Sequence, residues 1–159
     1  MRAYLASPAG ETVSSPVQFQ QESNHRILVV EDDGDIRRLN TEVLMHHGYD
    51  VDAAEDGAAA WAALQQEAYD LLITDHDMPR VTGVELLKKL HGARMDMPVI
   101  MATGAFPESE FTRYPWLQPA ATLLKPYTLD ELLNTVREVL RAVENVCQRP
   151  AQQSIQPLF

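Results

Sequence analysis

Residues 26–38, RILVVEDDGDIRR, place four apolar residues directly before three acidic ones. The apolar run over residues 27–30 predicts a strand that is buried on both faces, as in a parallel sheet. Three adjacent carboxylates repel one another, so Glu31, Asp32 and Asp33 need either solvent or a compensating cation. The rest of the sequence has to explain why a buried strand ends in this acidic run.

Apolar runs and helical patterns alternate along the chain. The strand-like runs are RILVV, YDVDAA, DLLIT, PVIMAT and ATLL. Helical periodicity separates them at residues 34–47, 57–67, 83–92 and 128–147. Strands that alternate with helices predict an α/β fold, namely a parallel sheet with helices on both faces.

The connection between the fourth and fifth strands is irregular. Its sequence, GAFPESEFTRYPWLQPA, contains Pro107, Pro115 and Pro119. A helix over residues 107–114 fits, because Pro107 is tolerated in a first turn and Pro115 should end the helix. We expect the fourth helix to be short or distorted.

Composition and charge limit the classes of protein that fit. The pattern of strands and helices predicts one folded domain over residues 26–147. The polar segments on either side predict a flexible N-terminal arm at 1–25 and a flexible C-terminal tail at 148–159. The formal net charge of −10 argues against binding to nucleic acid or to an anionic membrane, and suits a metal ion or a positive partner. The sequence predicts a cytoplasmic protein for three reasons. Cys147 is the single cysteine, no apolar run is long enough to span a membrane, and the N-terminal arm does not resemble a signal peptide.

Polar side chains follow four of the predicted strands: Glu31 and Asp32, then Asp75, Thr103 and Lys125. Ligands of open parallel sheets bind at the carboxyl ends of the strands, so these side chains should meet at one edge. Crowded carboxylates suit Mg²⁺, and a carboxylate can also accept a phosphoryl group. An ammonium and a hydroxyl would complete a shell for phosphoryl oxygens, which predicts a phosphoryl-transfer site.

Four segments, LVVEDD, LLITDHDMPRVTGVELL, PVIMATG and LLKPYTLDELL, resemble in this order the receiver domain of two-component response regulators. The resemblance extends over residues 26 to about 145. It implies a flavodoxin-like, five-stranded parallel sheet with strand order 2-1-3-4-5. It also implies a single-domain, chemotaxis-type response regulator that takes a phosphoryl group from a sensor histidine kinase and signals by binding a downstream protein. Such a protein is not a conventional enzyme, since it catalyses only its own phosphorylation and dephosphorylation.

The resemblance assigns a Mg²⁺ site to the acidic residues. It implies that Asp32 binds the ion directly, that Glu31 acts mainly through a bound water, and that Asp75 is a further ligand. The backbone carbonyl of Asp77 would complete the protein ligands. Asp33 is assigned instead to the start of the next helix, where an acid caps the backbone and favours the helix dipole.

The resemblance makes Asp75 the phospho-acceptor and places Thr103 and Lys125 on the phosphoryl group. The bond between Lys125 and Pro126 is expected to be cis, which is uncommon even before proline. His76, next to the acceptor, is interpreted as a bystander rather than a metal ligand or a phosphorelay histidine.

Two positions depart from the pattern of the family. Glu31 stands where Asp is commoner, and Thr122 stands where the fifth strand usually carries a switching aromatic residue. The usual coupling between the phosphoryl group and that aromatic ring therefore needs a substitute. Tyr114, Trp116 and Tyr127 are the candidates.

Two other functions compete with the leading hypothesis. LLITDHDMP also resembles the nucleophile motif of haloacid-dehalogenase-type Mg²⁺-dependent phosphatases, although that motif usually lies on the first strand and its downstream acidic pair is missing here. A binding module that works without phosphorylation, on a receiver scaffold, is the third hypothesis. Thr122 keeps it open, while the complete set of acceptor, hydroxyl and ammonium argues against it.

The last helical pattern carries an apolar stripe that is widened by Leu133 and Leu140. We interpret it mainly as the face that packs on the sheet. A helix over 128–147 would be roughly 30 Å long and should overhang the sheet. The alternative is that its last turn packs against a partner or, as a homodimer, against another copy of the chain. The stripe consists of Leu129, Leu132, Val136, Val139, Val143 and Val146.

Overall fold

The computed structural model describes residues 24–148. The predicted arm and tail lie, at residues 1–23 and 149–159, outside the described residues. Strands and helices alternate through the described part of the chain. Their bounds are β1 Arg26–Val30, α1 Gly34–His46, β2 Asp50–Ala54, α2 Gly57–Gln66, β3 Leu71–Asp75, α3 Gly83–Gly92, β4 Val99–Thr103, α4 Glu108–Arg113, β5 Ala121–Leu124 and α5 Leu129–Gln148.

The five strands of the described residues form one parallel sheet in the order β2-β1-β3-β4-β5, which confirms the predicted fold. β1 and β3 are neighbours at the centre, and Val30 pairs with Thr74 at their carboxyl ends. On the other side of β3, Asp75 pairs with Ala102 of β4. The strand order therefore brings the ends of β1, β3 and β4 side by side, although helices separate these strands along the chain.

The bounds of the helices agree with the predicted ones to within one or two residues. The predicted short fourth helix is confirmed, because α4 has only 6 residues and is followed by a 3₁₀ turn at Pro115–Leu117. The backbone N–H of Tyr114 still donates to the carbonyl of Glu110, but Pro115 has no N–H with which to continue the helix.

The sheet separates two hydrophobic cores, because successive strand residues point to opposite faces. Alternate residues of β1 belong to different cores. Leu28 and Val30 pack with helices α2 and α3, whereas Ile27 and Val29 pack with α1 and α5. All four are at most 1% exposed, which explains why β1 reads as a continuous apolar run.

The stripe on α5 is buried along the sheet and exposed at its far end. Val136 is fully buried, but Val143 is 38% exposed and Val146 is 69% exposed. The interpretation of the stripe as a core-facing surface is therefore confirmed for its first part, and the homodimer through the last turn stays a prediction.

None of the helices among the described residues is long and apolar enough to cross a membrane.

Gly83, the first residue of α3, packs directly against the end of β3. A Cβ atom built on Gly83 would lie 2.7 Å from the carbonyl oxygen of Asp75 and 2.9 Å from the Cα of His76. Both neighbours are backbone atoms, which cannot rotate away. The glycine therefore allows α3 to start close to the strand that carries Asp75.

Replacing Gly83 with alanine should destabilise the fold by about 1–3 kcal/mol, because the added methyl group overpacks against backbone. The matched control is Gly92→Ala at the last residue of α3, where a Cβ would meet nothing within 4 Å. That change should be neutral or stabilise by up to about 1 kcal/mol. Urea denaturation of the two variants measures the difference, and equal midpoints would contradict the packing argument.

Candidate functional site

The three acidic residues after β1 have different surroundings. Glu31 is 2% exposed, and its backbone N–H donates to the carbonyl of Ala54 at 3.1 Å, which extends the pairing with β2. Asp32 is exposed. Asp33 caps α1, since its side chain accepts hydrogen bonds from the backbone N–H groups of Asp35 and Ile36 at 2.9 and 3.1 Å. The acidic run is thus two side chains at the sheet edge and one helix cap.

Glu31 and Asp32 lie next to Asp75, the last residue of β3. One carboxylate oxygen from each of the three residues falls within 4.8 Å of the others. Asp75 is 4% exposed, so two of the three carboxylates are buried and Asp32 forms the exposed side of the cluster. The adjacency of β1 and β3 in the sheet produces this cluster from residues far apart in the sequence.

Lys125, directly after β5, supplies the positive charge of the cluster. Its Nζ donates to Oε2 of Glu31 at 2.9 Å and lies 3.3 Å from Oδ2 of Asp75. The bond between Lys125 and Pro126 is cis, as expected. The ammonium therefore pairs with both buried carboxylates at once.

Burial and like charge act against the ionised form of Glu31. Burial raises the pKa of the Glu31 carboxyl, the charge of Asp75 raises it further, and the hydrogen bond from Lys125 offsets only part of the effect. Burial would lower the pKa of Lys125, but the hydrogen bonds and charges of Glu31 and Asp75 together outweigh it and hold that pKa above its ordinary value. Glu31 and Lys125 thus favour each other's charged form, but for Glu31 burial and the charge of Asp75 outweigh this pairing.

Thr103 ends β4 at the same edge and is fully buried. Its hydroxyl donates to the carbonyl of Ala105 at 2.8 Å and accepts from the N–H of Ala105 at 3.2 Å. The hydroxyl is therefore hydrogen-bonded within its own loop. Thr103 lies near Asp75 because it follows Ala102, the residue of β4 that pairs with Asp75. A role on a phosphoryl group would require the hydroxyl to leave the Ala105 carbonyl.

The segment after β3 folds back over Asp75. The backbone N–H of Asp77 donates to Oδ1 of Asp75 at 3.2 Å, and the carbonyl of His76 accepts from the N–H groups of Met78 and Gly83. Within the described residues, Nδ1 of His76 is buried without a hydrogen-bond partner. A backbone N–H group thus orients Oδ1 of Asp75, and in the described part of the chain Nδ1 of His76 donates no hydrogen bond to the carboxylates.

Arg37 is a residue of this edge that the sequence pattern does not single out. Its guanidinium donates to the backbone carbonyl of Glu31 at 2.8 Å and so braces the end of β1. An arginine one turn into α1 would be expected at the surface, and no sequence signal separates it from its neighbour Arg38. A second contact of this kind is the ion pair between Asp56 and Arg80, which links the loop before α2 to the loop before α3. The sequence pattern does not predict it either.

Thr122 and the candidate aromatic residues have separate surroundings. Thr122 is half-buried in β5. The hydroxyl of Tyr127 accepts from Nδ2 of the buried Asn40 at 2.8 Å, and burial raises the pKa of Tyr127. Tyr114 and Trp116 contact each other edge to face beyond α4. That one of Tyr114, Trp116 and Tyr127 replaces the missing switching residue stays a prediction.

The raised pKa of Glu31 gives a pH dependence in the metal-free protein. Above the ordinary pKa of 4.5, the folded state binds a proton that the unfolded state releases, so stability falls as the pH rises through the raised pKa. Glu31→Gln resembles the protonated carboxyl and should gain stability over the wild type as the pH approaches neutrality. Urea denaturation in EDTA from pH 4.5 to 7.5 measures it, and a constant difference would contradict the assignment.

The comparisons with known proteins agree with this arrangement. The sequence model of a protein family, the response regulator receiver domain, matches residues 27–137 of the chain. The receiver protein CpdR of Brucella abortus is 35% identical over 122 residues, which cover 74% of this chain and 98% of CpdR. The response regulator MprA of Mycobacterium tuberculosis is 34% identical over 141 residues, and the match spans 84% of this chain but only 60% of MprA.

Solved structures of receiver domains have the same fold. A CheY-like receiver domain protein from Methanospirillum hungatei is 31% identical and superposes with a TM-score of 0.73, covering 78% of this chain and 99% of that one. The chemotaxis response regulator CheY4 of Vibrio cholerae is 29% identical, with a TM-score of 0.66 over 72% of this chain and 98% of CheY4. Together with the cluster at the carboxyl edge, these matches establish that the chain belongs to the response regulator receiver domain family, the phosphorylation-accepting modules of two-component signalling.

Proposed function

We propose that Asp75 accepts a phosphoryl group from a phosphohistidine of a sensor histidine kinase, with Mg²⁺ held beside it. The observation that carries the proposal is the convergence of three carboxylates and one ammonium on the end of β3. Glu31 and Asp75 are buried together, and Asp32 is open to solvent. A buried nucleophile with a charged partner and an open approach is what a phosphoryl acceptor requires.

The donor set fits Mg²⁺. All three side chains offer carboxylate oxygens, and no soft ligand lies among them. Ligands of one Mg²⁺, at about 2.1 Å from the ion, lie at most about 4.2 Å apart. The three carboxylate oxygens lie within 4.8 Å of one another, so one ion could be shared among them. We assign direct binding to Asp32 and Asp75 and a water-mediated contact to Glu31. The backbone carbonyl of Asp77 would be the remaining protein ligand.

In the transfer, an oxygen of Asp75 attacks phosphorus while the bond to the histidine nitrogen breaks. The bonding electron pair stays on the imidazole, which leaves as neutral imidazole. When bound, Mg²⁺ neutralises charge on the phosphoryl oxygens. Lys125, already 3.3 Å from Asp75, pairs with the phosphoryl group, and Thr103 exchanges the Ala105 carbonyl for a phosphoryl oxygen.

The proposed output is binding to a downstream protein, with a homodimer through Val143 and Val146 as a further state. The protein would work in the cytoplasm, without nucleic acid or membrane as a partner, which the formal charge of −10 supports. It would catalyse only the formation and loss of its own aspartyl phosphate.

Asp75 should become phosphorylated when the protein is incubated with acetyl phosphate and Mg²⁺, and intact mass spectrometry detects the product. Asp75→Asn should remain unmodified, because an amide oxygen is not an effective nucleophile. Equal labelling of the variant and the wild type would overturn the assignment of the acceptor. Sustained turnover of p-nitrophenyl phosphate would indicate a phosphatase instead.

Asp32 and Asp33 should differ in their effect on Mg²⁺ binding. Asp32→Asn removes a charged ligand and should weaken binding by about tenfold or more, whereas Asp33→Asn keeps the helix cap and should change it less than about twofold. Isothermal titration calorimetry with MgCl₂ measures both affinities. Similar losses in the two variants would mean that overall negative charge, rather than a defined ligand set, attracts the ion.

A further inference from the structure

The loop between β3 and α3, residues 76–82, carries backbone groups of the phosphoryl site. The N–H of Asp77 donates to Oδ1 of Asp75 at 3.2 Å, and the Asp77 carbonyl is the proposed backbone ligand of Mg²⁺. A backbone ligand has no rotamer with which to adjust. The conformation of this loop therefore decides whether the carbonyl reaches the ion.

Asp56, outside the carboxylate cluster, contacts this loop. Its Oδ2 lies 3.1 Å from the guanidinium of Arg80, and its Oδ1 accepts from the N–H of Ala59 at 2.8 Å as the cap of α2. Asp56 is 5% exposed, so its carboxylate is held in place by the start of the helix. Arg80 is thereby tied to an anchored group rather than to a mobile surface side chain.

The backbone of Arg80 has an unfavourable conformation that its surroundings hold in place. Its φ of 69° lies in the left-handed region, which non-glycine residues seldom adopt because Cβ crowds the backbone. The next residue, Val81, lies over Gly57, where an added Cβ would come within 2.5 Å of the Val81 Cβ. The loop thus rests on the β2–α2 turn through an ion pair and a close packing contact.

We propose that Asp56 and Arg80 are positioning residues for the Mg²⁺ site. Their ion pair holds the loop in the conformation that presents the Asp77 carbonyl, although neither side chain is a ligand. The inference rests on the proposed function, because it needs the site to bind Mg²⁺. Loss of the pair lowers the population of the binding-competent loop, and apparent affinity falls in proportion to that population.

The exposure of Arg80 separates this role from a general stabilising one. Its side chain is 72% exposed, so its removal leaves no cavity, and the carboxylate of Asp56 keeps its hydrogen bond from the N–H of Ala59. Removing a cation near the site should also strengthen Mg²⁺ binding if charge alone mattered. Weaker binding in Arg80→Ala, without a matching loss of stability, therefore distinguishes positioning from both alternatives.

The experiment compares Arg80→Ala, Asp56→Asn and the double variant in the full chain. Asp56→Asn keeps the helix cap, because Asn caps as well as Asp, and removes the charge that pairs with Arg80. Calorimetric titration with MgCl₂ should show about three- to tenfold weaker binding in each single variant, with no further loss in the double. Arg38→Ala, which breaks an exposed pair with Asp35, is the control and should bind as the wild type does.

A second readout uses the metal-free protein. Amide hydrogen exchange of Asp77 in EDTA should be faster in Arg80→Ala and Asp56→Asn, while exchange in the central strands stays unchanged. Wild-type Mg²⁺ affinity and unchanged Asp77 exchange in both variants would overturn the proposal, as would additive losses in the double variant. If the wild type binds no Mg²⁺ and is not labelled by acetyl phosphate, the proposed function fails. If the wild type binds Mg²⁺ and the variants bind it with the same affinity, only the positioning role is refuted.

Discussion

The site depends on an imbalance of charge that the sheet imposes. Glu31 directly follows β1 and Asp75 ends the neighbouring β3. Both are buried, and the ammonium of Lys125 contacts both. The pKa of Glu31 is raised because burial disfavours its charged form and the charge of Asp75 repels it, and the hydrogen bond from Lys125 offsets only part of this. The folded chain therefore carries an unfavourable arrangement that a divalent cation would relieve. Burial of two carboxylates beside each other therefore costs stability at this edge.

The cores on the two faces of the sheet hold this arrangement rigidly. β1 and β3 are buried on both faces, so their ends cannot separate to relieve the repulsion. The close packing of Gly83 on Asp75 and the brace from Arg37 to the Glu31 carbonyl add backbone constraints. Thr103 differs, because its hydroxyl is bound to the Ala105 carbonyl of its own loop, and the proposed transfer requires it to change that partner. The proposed site thus combines groups held by packing with one hydroxyl held by a local hydrogen bond.

Much of the site follows from residue types and their order. The helix bounds, the cap at Asp33 and the short α4 were predictable, because helix caps and prolines act through neighbouring residues. The convergence of Glu31, Asp75 and Lys125 was predictable only from the rule that strand ends of a parallel sheet share an edge. The brace between Asp56 and Arg80 was not, because an exposed arginine has no sequence signal that names its partner.

The sequence by itself determined the alternation of strands and helices, the burial of β1 and the set of polar residues at the strand ends. These are local properties, since apolar periodicity, caps and prolines act over a few residues. Only the tertiary structure decided which carboxylates are buried, that Lys125 contacts two of them, and that Arg80 adopts a left-handed backbone against Asp56. Burial and charge pairing depend on distances between elements far apart in the chain, and those distances exist only after the sheet has assembled.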